Sequence, residues 1–292
     1  MSPIEEPRPE MSLEEFRLIR ELVYEYCGIR FRDDMKFSME RRLWPRLEEL
    51  SLPDFSAYYR YLRHDPLRKV ELDSAVEALA TNETYFFREQ MQLKAFSTEV
   101  LPLLHKRNER TRRLHLWSAG CSTGEEVYTL AMLIHASGLF GGWEVWVYGT
   151  DISRRVLAHA RRGEYSPSAL RIAPQDMVDR YLEKSAPNRW RVCPEIKAMV
   201  DFGYLNLLDA DAASTAVMHP VDVIFCRNVM IYFDIAARKR VLKVFYERLV
   251  EGGYLLMGHS DLLINLSTEF ELVHLQNDLI YRRPPRAQEP RP

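Results

Sequence analysis

The sequence predicts an α/β protein: a small all-α unit, then a mostly parallel sheet covered by helices, with a small antiparallel insertion. Three observations carry this. Residues 12–80 hold helical periodicities and no strand pattern. From Leu114 onward, apolar strand-like runs alternate with helical segments, the texture of a parallel sheet with crossover helices. The stretch Leu114 to Tyr128, LHLWSAGCSTGEEVY, joins a short apolar run to a helix start through Gly120 and Gly124. In open α/β sheets such a turn lies beyond the carboxyl end of a strand, where ligands bind.

The elements follow in order. Residues 1–11 are rich in Pro and Glu and are expected to be disordered. Ser12 with Glu15 three residues on forms a capping-box pattern, and Phe16, Ile19, Leu22, Val23 and Tyr26 recur at helical spacing until Gly28. Met35 to Leu50 reads as a second helix, with Lys36, Arg41, Arg42 and Arg46 interleaved among Met39, Leu43 and Leu47. Asp54 to Arg63 and Lys69 to Ala80 give two more helices. A polar, capping-rich segment, TNETYFFR (81–88), interrupts this pattern, and Phe96 to Lys106 is again helical.

Strands are then expected at Leu114 to Ala119, Trp143 to Gly149, Val221 to Cys226 and Tyr254 to Gly258. Helices are expected from about Glu125 to Ser137, from Ser153, and from about Ile235 to Leu249. Phe270 to Leu275 and Leu279 to Arg282 predict a hairpin around Asn277-Asp278, an antiparallel edge on the sheet. The runs Trp190 to Val192 and Ile196 to Phe202 do not fit simple alternation and read as the antiparallel insertion. The tail PPRAQEPRP reads as disordered.

Composition narrows the classes. At 292 residues and 47% hydrophobic the chain can bury a substantial core as one large or two ordinary domains. A formal net charge of −2 does not suggest wholesale nucleic-acid binding. Cys27, Cys121, Cys193 and Cys226 are far apart with no CxxC, so neither a metal site nor a disulfide framework is expected. No signal-peptide core is visible, and no apolar run approaches the roughly 20 residues that span a bilayer. The expectation is a soluble, cytoplasmic, monomeric protein.

The central turn is neither GxGxxG nor GxxxxGK[ST], and no Lys follows Gly124. Two carboxylates, Glu125 and Glu126, stand there instead. They repel a diphosphate but suit a ligand with positive charge and no phosphate, such as S-adenosylmethionine. The alternative reading is that they favour the positive end of a helix dipole. The next strand ends at Asp151, where a carboxylate can take two ribose hydroxyls or can cap the helix near Ser153. Asn206-Leu207 and Asn228 follow later strand-like runs, so they can reach the same crevice; Asn offers both donor and acceptor, and Leu207 can cover a base.

With TNETYFFR, SAGCSTGEE, GTDIS, FCRNVMIYFD and GGYLLMGHSD in this order, the sequence resembles the chemotaxis-receptor glutamate methyltransferases, the CheR family. The resemblance covers about Met11 to Arg283. It implies a helical N-terminal domain (12–86), then a Rossmann-like class I methyltransferase domain (87–284) carrying an antiparallel β-subdomain at about 186–204, with tails at 1–11 and 285–292. By motif it implies that Asn82, Thr84, Arg88, Glu126, Asp151, Asn206, Leu207, Arg227 and Asn228 hold the cofactor, S-adenosylmethionine. Arg88 and Tyr232 are then the candidates for orienting the methyl acceptor.

The implied reaction methylates glutamate side chains on the cytoplasmic helical domain of a bacterial chemoreceptor, giving methyl esters and S-adenosylhomocysteine without a metal. Arg41, Arg42 and Arg46 lie within reach of one helical face and are the candidate receptor contacts. Some relatives also grip a receptor C-terminal peptide by adding it to a sheet edge; the stretch Lys184 to Phe202, which has no glycine, argues against that here. A competing class is a binding or scaffold protein that keeps the cofactor pocket without methyl transfer. A nucleic-acid methyltransferase is disfavoured, because the relevant strand ends in Cys226-Arg227-Asn228 rather than a DPPY-like tetrad.

Overall fold

The computed structural model describes residues 9–209, 219–261 and 267–285. The tail residues 1–8 and 286–292, expected to be disordered, lie outside the described residues. The chain divides into two compact units. One takes the residues up to Thr81 together with Tyr232–Asp234; the other takes Asn82–Ile231 and the residues from Ile235 on.

The first unit is helical. Its helices are α1 (Leu13–Cys27), α2 (Lys36–Glu49), α3 (Phe55–His64) and α4 (Arg68–Leu79). The capping box forms in full: Ser12 Oγ accepts from the Glu15 amide, and the Glu15 carboxylate accepts from the Ser12 amide. Gly28 ends α1 in the left-handed region at φ 74°. Phe16, Ile19, Val23, Leu43, Leu47, Phe55, Tyr58 and Val76 are fully buried and form the core. Tyr232–Asp234 joins this unit because Ile29 bridges Phe233, the Arg30 amide donates to Tyr232 O at 2.9 Å, and Tyr24 Oη donates to Asp234 Oδ2 at 2.5 Å.

The second unit is built on a seven-stranded sheet. Its elements, in chain order, are α5 (Gln90–Ala95), a π turn (Phe96–Val100), α6 (Leu101–Asn108), β1 (Arg113–Ala119), α7 (Glu125–Ala136), β2 (Glu144–Asp151) and α8 (Arg154–Arg162). Then come β3 (Glu164–Tyr165), α9 (Gln175–Tyr181), β4 (Leu182–Ala186), β5 (Arg189–Val192), α10 (Pro194–Lys197) and β6 (Val200–Tyr204). The unit closes with β7 (Val221–Cys226), α11 (Ile235–Arg248), β8 (Leu249–Met257), β9 (Glu271–His274) and β10 (Leu279–Arg282).

The strand order is β6-β2-β1-β7-β8-β10-β9, parallel from β6 through β8, with the β9–β10 hairpin antiparallel at one edge. This is an open, Rossmann-like α/β arrangement, as the sequence predicts. Leu114, Leu116, Val147, Val223, Phe225 and Leu256 are buried with Val127, Leu130 and Ala131 of α7. Central parallel strands read as near-continuous apolar runs because both faces are covered, and all six residues of β7 are buried.

The inserted sheet exists but is displaced from its expected place. It is three-stranded, β3-β5-β4, and spans 164–192 rather than 186–204. The run Ile196 to Phe202 is split. Pro194 opens the short α10, where its missing N–H costs nothing, and β6 leaves the insertion to pair in parallel with β2. The two-residue β3 is too short to carry a period. The unit boundary also moves upstream: Asn82–Phe86 goes with the second unit, since the Phe86 amide donates to Ala169 O at 2.9 Å and its ring meets Tyr165 edge-on at 4.8 Å.

Candidate functional site

Four adjacent parallel strands deliver the predicted groups to one edge of the sheet. In spatial order the carboxyl ends of β6, β2, β1 and β7 carry Asn206, Asp151, the turn 120–124 and Arg227-Asn228. The turn needs its glycines. Gly120 has φ +81°, and a Cβ there would lie 2.4 Å from Val229 Cγ2; Gly124 has φ +92°, with Ala160 Cβ at 2.8 Å from the same construction. The Gly120 and Cys121 amides both donate to Thr150 O, at 2.8 and 2.9 Å.

Asp151 is buried and works inside this frame. Its Oδ2 accepts the Ser122 amide and its Oδ1 the Ser153 amide, both at 2.9 Å. The α8 cap itself is Ser153, whose side chain accepts from the Val156 amide. At the next strand Asn206 is buried; its Oδ1 accepts the Leu208 amide at 3.1 Å, and Leu207 is buried beside it.

The two turn carboxylates face different surroundings. Glu126 Oε1 accepts Ser118 Oγ at 2.7 Å, and its Oε2 accepts Arg227 Nε at 2.6 Å. Glu125 is only 4% exposed and accepts Thr123 Oγ1 at 2.7 Å; burial pushes its carboxyl above the usual range. It lines a cavity of about 560 Å³ with Thr84, Thr123, His159, Tyr165 and Arg171. Cys121 is packing: its thiol is buried, and burial and then the Asp151 charge push it well above the ordinary range.

The TNETYFFR segment runs past the turn. Asn82 O accepts Ser122 Oγ at 3.2 Å. Arg88 donates Nη1 to Glu83 O at 3.1 Å and lies 5.7 Å from the Tyr85 ring centre. Phe87 and Glu89 on either side have φ 60° and 59°, and Ser122 and Asn228 have φ 50° and 59°. Non-glycine residues with positive φ are uncommon, and four of the seven among the described residues lie here.

The chain shows high similarity to one set of known proteins. A family model described as CheR methyltransferase, SAM binding domain, matches residues 82–279, and one described as CheR methyltransferase, all-alpha domain, matches residues 14–80. The chain belongs to the CheR methyltransferase family. It is 30% identical over 282 residues to chemotaxis protein methyltransferase 2 of Vibrio cholerae, covering 94% of each chain. It is 33% identical over 275 residues to chemotaxis protein methyltransferase 1 of Pseudomonas aeruginosa, covering 92% of this chain and 97% of that one. Against the Salmonella typhimurium chemotaxis protein methyltransferase it is 37% identical over 266 residues, covering 88% and 86%.

The residues present fit the cofactor of this methyltransferase family. Only a glycine fits at 120, because its φ is +81° and the Val229 side chain packs directly against the turn there. The donor set is acceptor-rich: Asp151, Glu126 and Asn206, with Asn228 Oδ1 buried and lacking a hydrogen-bond partner among the described residues. No lysine stands in the turn to bind phosphate. Among the described residues no cluster of three or more His, Cys, Asp or Glu is arranged to hold a metal ion, and no helix is long and apolar enough to cross a membrane.

Sequence reasoning passed over two supports. Asp261 Oδ2 accepts the Asn228 amide at 2.8 Å and holds that residue in its left-handed conformation. Ser118, a lone hydroxyl at the end of an apolar buried strand, anchors Glu126; that polarity was the available signal.

In the helical unit, the three arginines do not share one fate. Arg42 Nη1 donates to Leu79 O at 2.6 Å, tying α2 to the end of α4. Arg46 forms a two-pronged pair with Glu71 at 3.0 and 2.6 Å, and Tyr58 Oη donates to the same carboxylate at 2.7 Å. Arg41 is exposed on the other side of α2. Tyr232, half-buried in its 3-10 turn (Met230–Tyr232), clusters with the helical unit.

Proposed function

We propose that this protein transfers the methyl group of S-adenosylmethionine to glutamate side chains on chemoreceptor cytoplasmic domains, yielding methyl esters and S-adenosylhomocysteine for sensory adaptation. The observation that carries the reading is the convergence of Asp151, the lysine-free turn with Glu126, Asn206 and Arg227-Asn228 at the carboxyl ends of four adjacent parallel strands. Membership of the CheR methyltransferase family supports it.

The cofactor supplies an activated sulfonium methyl when bound. Asp151 is the candidate for the ribose hydroxyls, Asn206 for the adenine edge with Leu207 covering the base, and Asn82, Thr84, Glu126 and Asn228 for the remaining polar groups. The acceptor carboxyl has an unperturbed pKa of about 4.3, so it enters already ionised and needs no general base. Catalysis then rests on alignment and exclusion of water. Arg88 brings a planar fork suited to a carboxylate; Tyr232 stays a candidate for orienting the acceptor on the family motif alone. Arg41 is left as the exposed arginine of α2 for an acidic receptor surface.

The test is transfer of labelled methyl from S-adenosylmethionine to receptor cytoplasmic domains. The expected label is base-labile and is lost when acceptor glutamates are changed to alanine. Firm cofactor binding with no base-labile label on any receptor domain would overturn methyl transfer in favour of a binding or scaffold role.

A further inference from the structure

Arg227 follows β7 with its side chain only 3% exposed, and two of its three guanidinium nitrogens are held by the protein. Nε donates to Glu126 Oε2 at 2.6 Å, and Nη1 donates to the carbonyl of Arg88 at 2.8 Å. Glu89 Oε2 lies 3.8 Å from that same Nη1 and 3.2 Å from His259 Nδ1. One side chain therefore joins the end of β7, the first turn of α7 and the junction between TNETYFFR and α5.

What it joins is informative. Arg88 sits between Phe87 and Glu89, both at positive φ. Such a backbone persists only where its surroundings over-determine it. Here the Phe87 amide donates to Thr129 Oγ1 at 3.2 Å, Arg88 O is held by Arg227, and Glu89 O accepts the Leu93 amide at 3.2 Å. Glu126 is held on both oxygens, by Ser118 and by Arg227. A planar guanidinium can serve a carboxylate and a carbonyl at once in fixed directions, which a lysine ammonium cannot reproduce.

We infer that Arg227 is a positioning residue that presents Arg88 and Glu126 to the cofactor and acceptor together, acting through them; this rests on the methyl-transfer reading above. It changes the meaning of the Arg227-Asn228 pair. Asn228 keeps an open buried oxygen for a ligand, whereas Arg227 Nε and Nη1 are committed to Glu126 and Arg88.

The experiment uses the full chain. The affinity for S-adenosylmethionine is measured by calorimetric titration, and kcat and KM by the labelled-methyl assay. The variants are Arg227→Lys, Glu126→Gln and the double variant, each checked for native thermal unfolding. Arg227→Lys keeps the charge and loses the fork; it is expected to weaken cofactor binding about tenfold and to lower kcat as well, within the range that contacting residues show. Because Arg227 acts through Glu126, the double variant is expected to bind no more weakly than the worse single one. Losses that multiply, or wild-type affinity and kcat in Arg227→Lys, would overturn the inference. If Arg227→Lys does not fold, Glu126→Gln decides alone: wild-type cofactor affinity there removes the residue through which Arg227 is said to act. Failure of the wild-type chain to bind S-adenosylmethionine would count against the functional reading instead.

Discussion

The carboxylate of Asp151 accepts the backbone amide of Ser122 at 2.9 Å, so the end of β2 fixes the turn that follows β1. The same carboxylate takes the Ser153 amide. Asp151→Ala leaves two buried N–H groups without these partners, each costing about 1–3 kcal/mol. It is expected to lower stability by about 2–4 kcal/mol and to weaken S-adenosylmethionine binding, with a smaller effect on kcat at saturating cofactor. Asp151→Asn keeps one acceptor oxygen and is expected to recover part of the stability. Urea unfolding and calorimetric titration measure the two effects. Unchanged cofactor affinity in Asp151→Ala would remove this residue from the binding site.

The arginines of α2 separate stability from recognition. Glu71 is 5% exposed at its side chain and carries Arg46 and Tyr58. Arg46 is 19% exposed at its side chain and keeps Glu49, so losing the Glu71 charge removes one charge-assisted pair, at a cost of about 1.5–3 kcal/mol. Glu71→Gln is therefore expected to lower the urea midpoint strongly while cofactor affinity of the folded protein stays at the wild-type value. Arg41 is exposed, and surface changes of this kind stay within about 0.5 kcal/mol. Arg41→Glu is expected to leave the midpoint alone and to raise KM for the receptor domain in a salt-dependent way. Equal receptor KM in Arg41→Glu and wild type would remove α2 from the receptor contact.

Burial pushes the Cys27 thiol up to about 12, and its Sγ donates to Val23 O at 3.2 Å. The unfolded thiol titrates near 8.5. Between those values the folded state holds a proton that the unfolded state has released, so stability is fully present below pH about 8.5 and declines as pH rises, by about 1.4 kcal/mol per unit for this one thiol. Urea midpoints at pH 7.5, 9 and 10 should fall in that order, and Cys27→Ala should flatten the slope. A midpoint constant from pH 7.5 to 10 would contradict the buried neutral thiol. Cys121, Cys193 and Cys226 are buried as well, so native protein is expected to resist alkylation at pH 8 at all four thiols.

The alternation of apolar runs with helical segments was enough to find β1, β2, β7, β8 and the terminal hairpin. Those strands are central or carry a turn pair, and their patterns are local. The edge strand β6 was assigned to the wrong sheet because its partner is decided at a distance: Gly203 lies against Tyr148 of β2, where a Cβ would come within 1.8 Å of the hydroxyl. The polar groups at the strand ends were legible as residue types. Their present partners were not, since Arg227 finds Glu126 a hundred positions away, and nothing in the spacing of Arg41, Arg42 and Arg46 says that two of them are tied to α4.

Gly120 tests the turn most directly. Its φ of +81° disfavours any side chain, and a methyl there would meet Val229 Cγ2 at 2.4 Å. The left-handed conformation alone costs an alanine about 1–2 kcal/mol, and the clash adds to it. Gly120→Ala is expected to weaken S-adenosylmethionine binding at least tenfold, on the order of the 1.4 kcal/mol that one decade requires. Val229→Ala removes the clashing atoms but leaves the dihedral penalty. The double variant Gly120→Ala/Val229→Ala should therefore bind better than Gly120→Ala and worse than wild type, with the remaining deficit reporting the backbone term alone. Calorimetric titration of the four proteins separates the contributions. A Gly120→Ala protein that binds as wild type does would mean that the turn can shift without losing the site, and that the backbone of Gly120 does not shape the cofactor site.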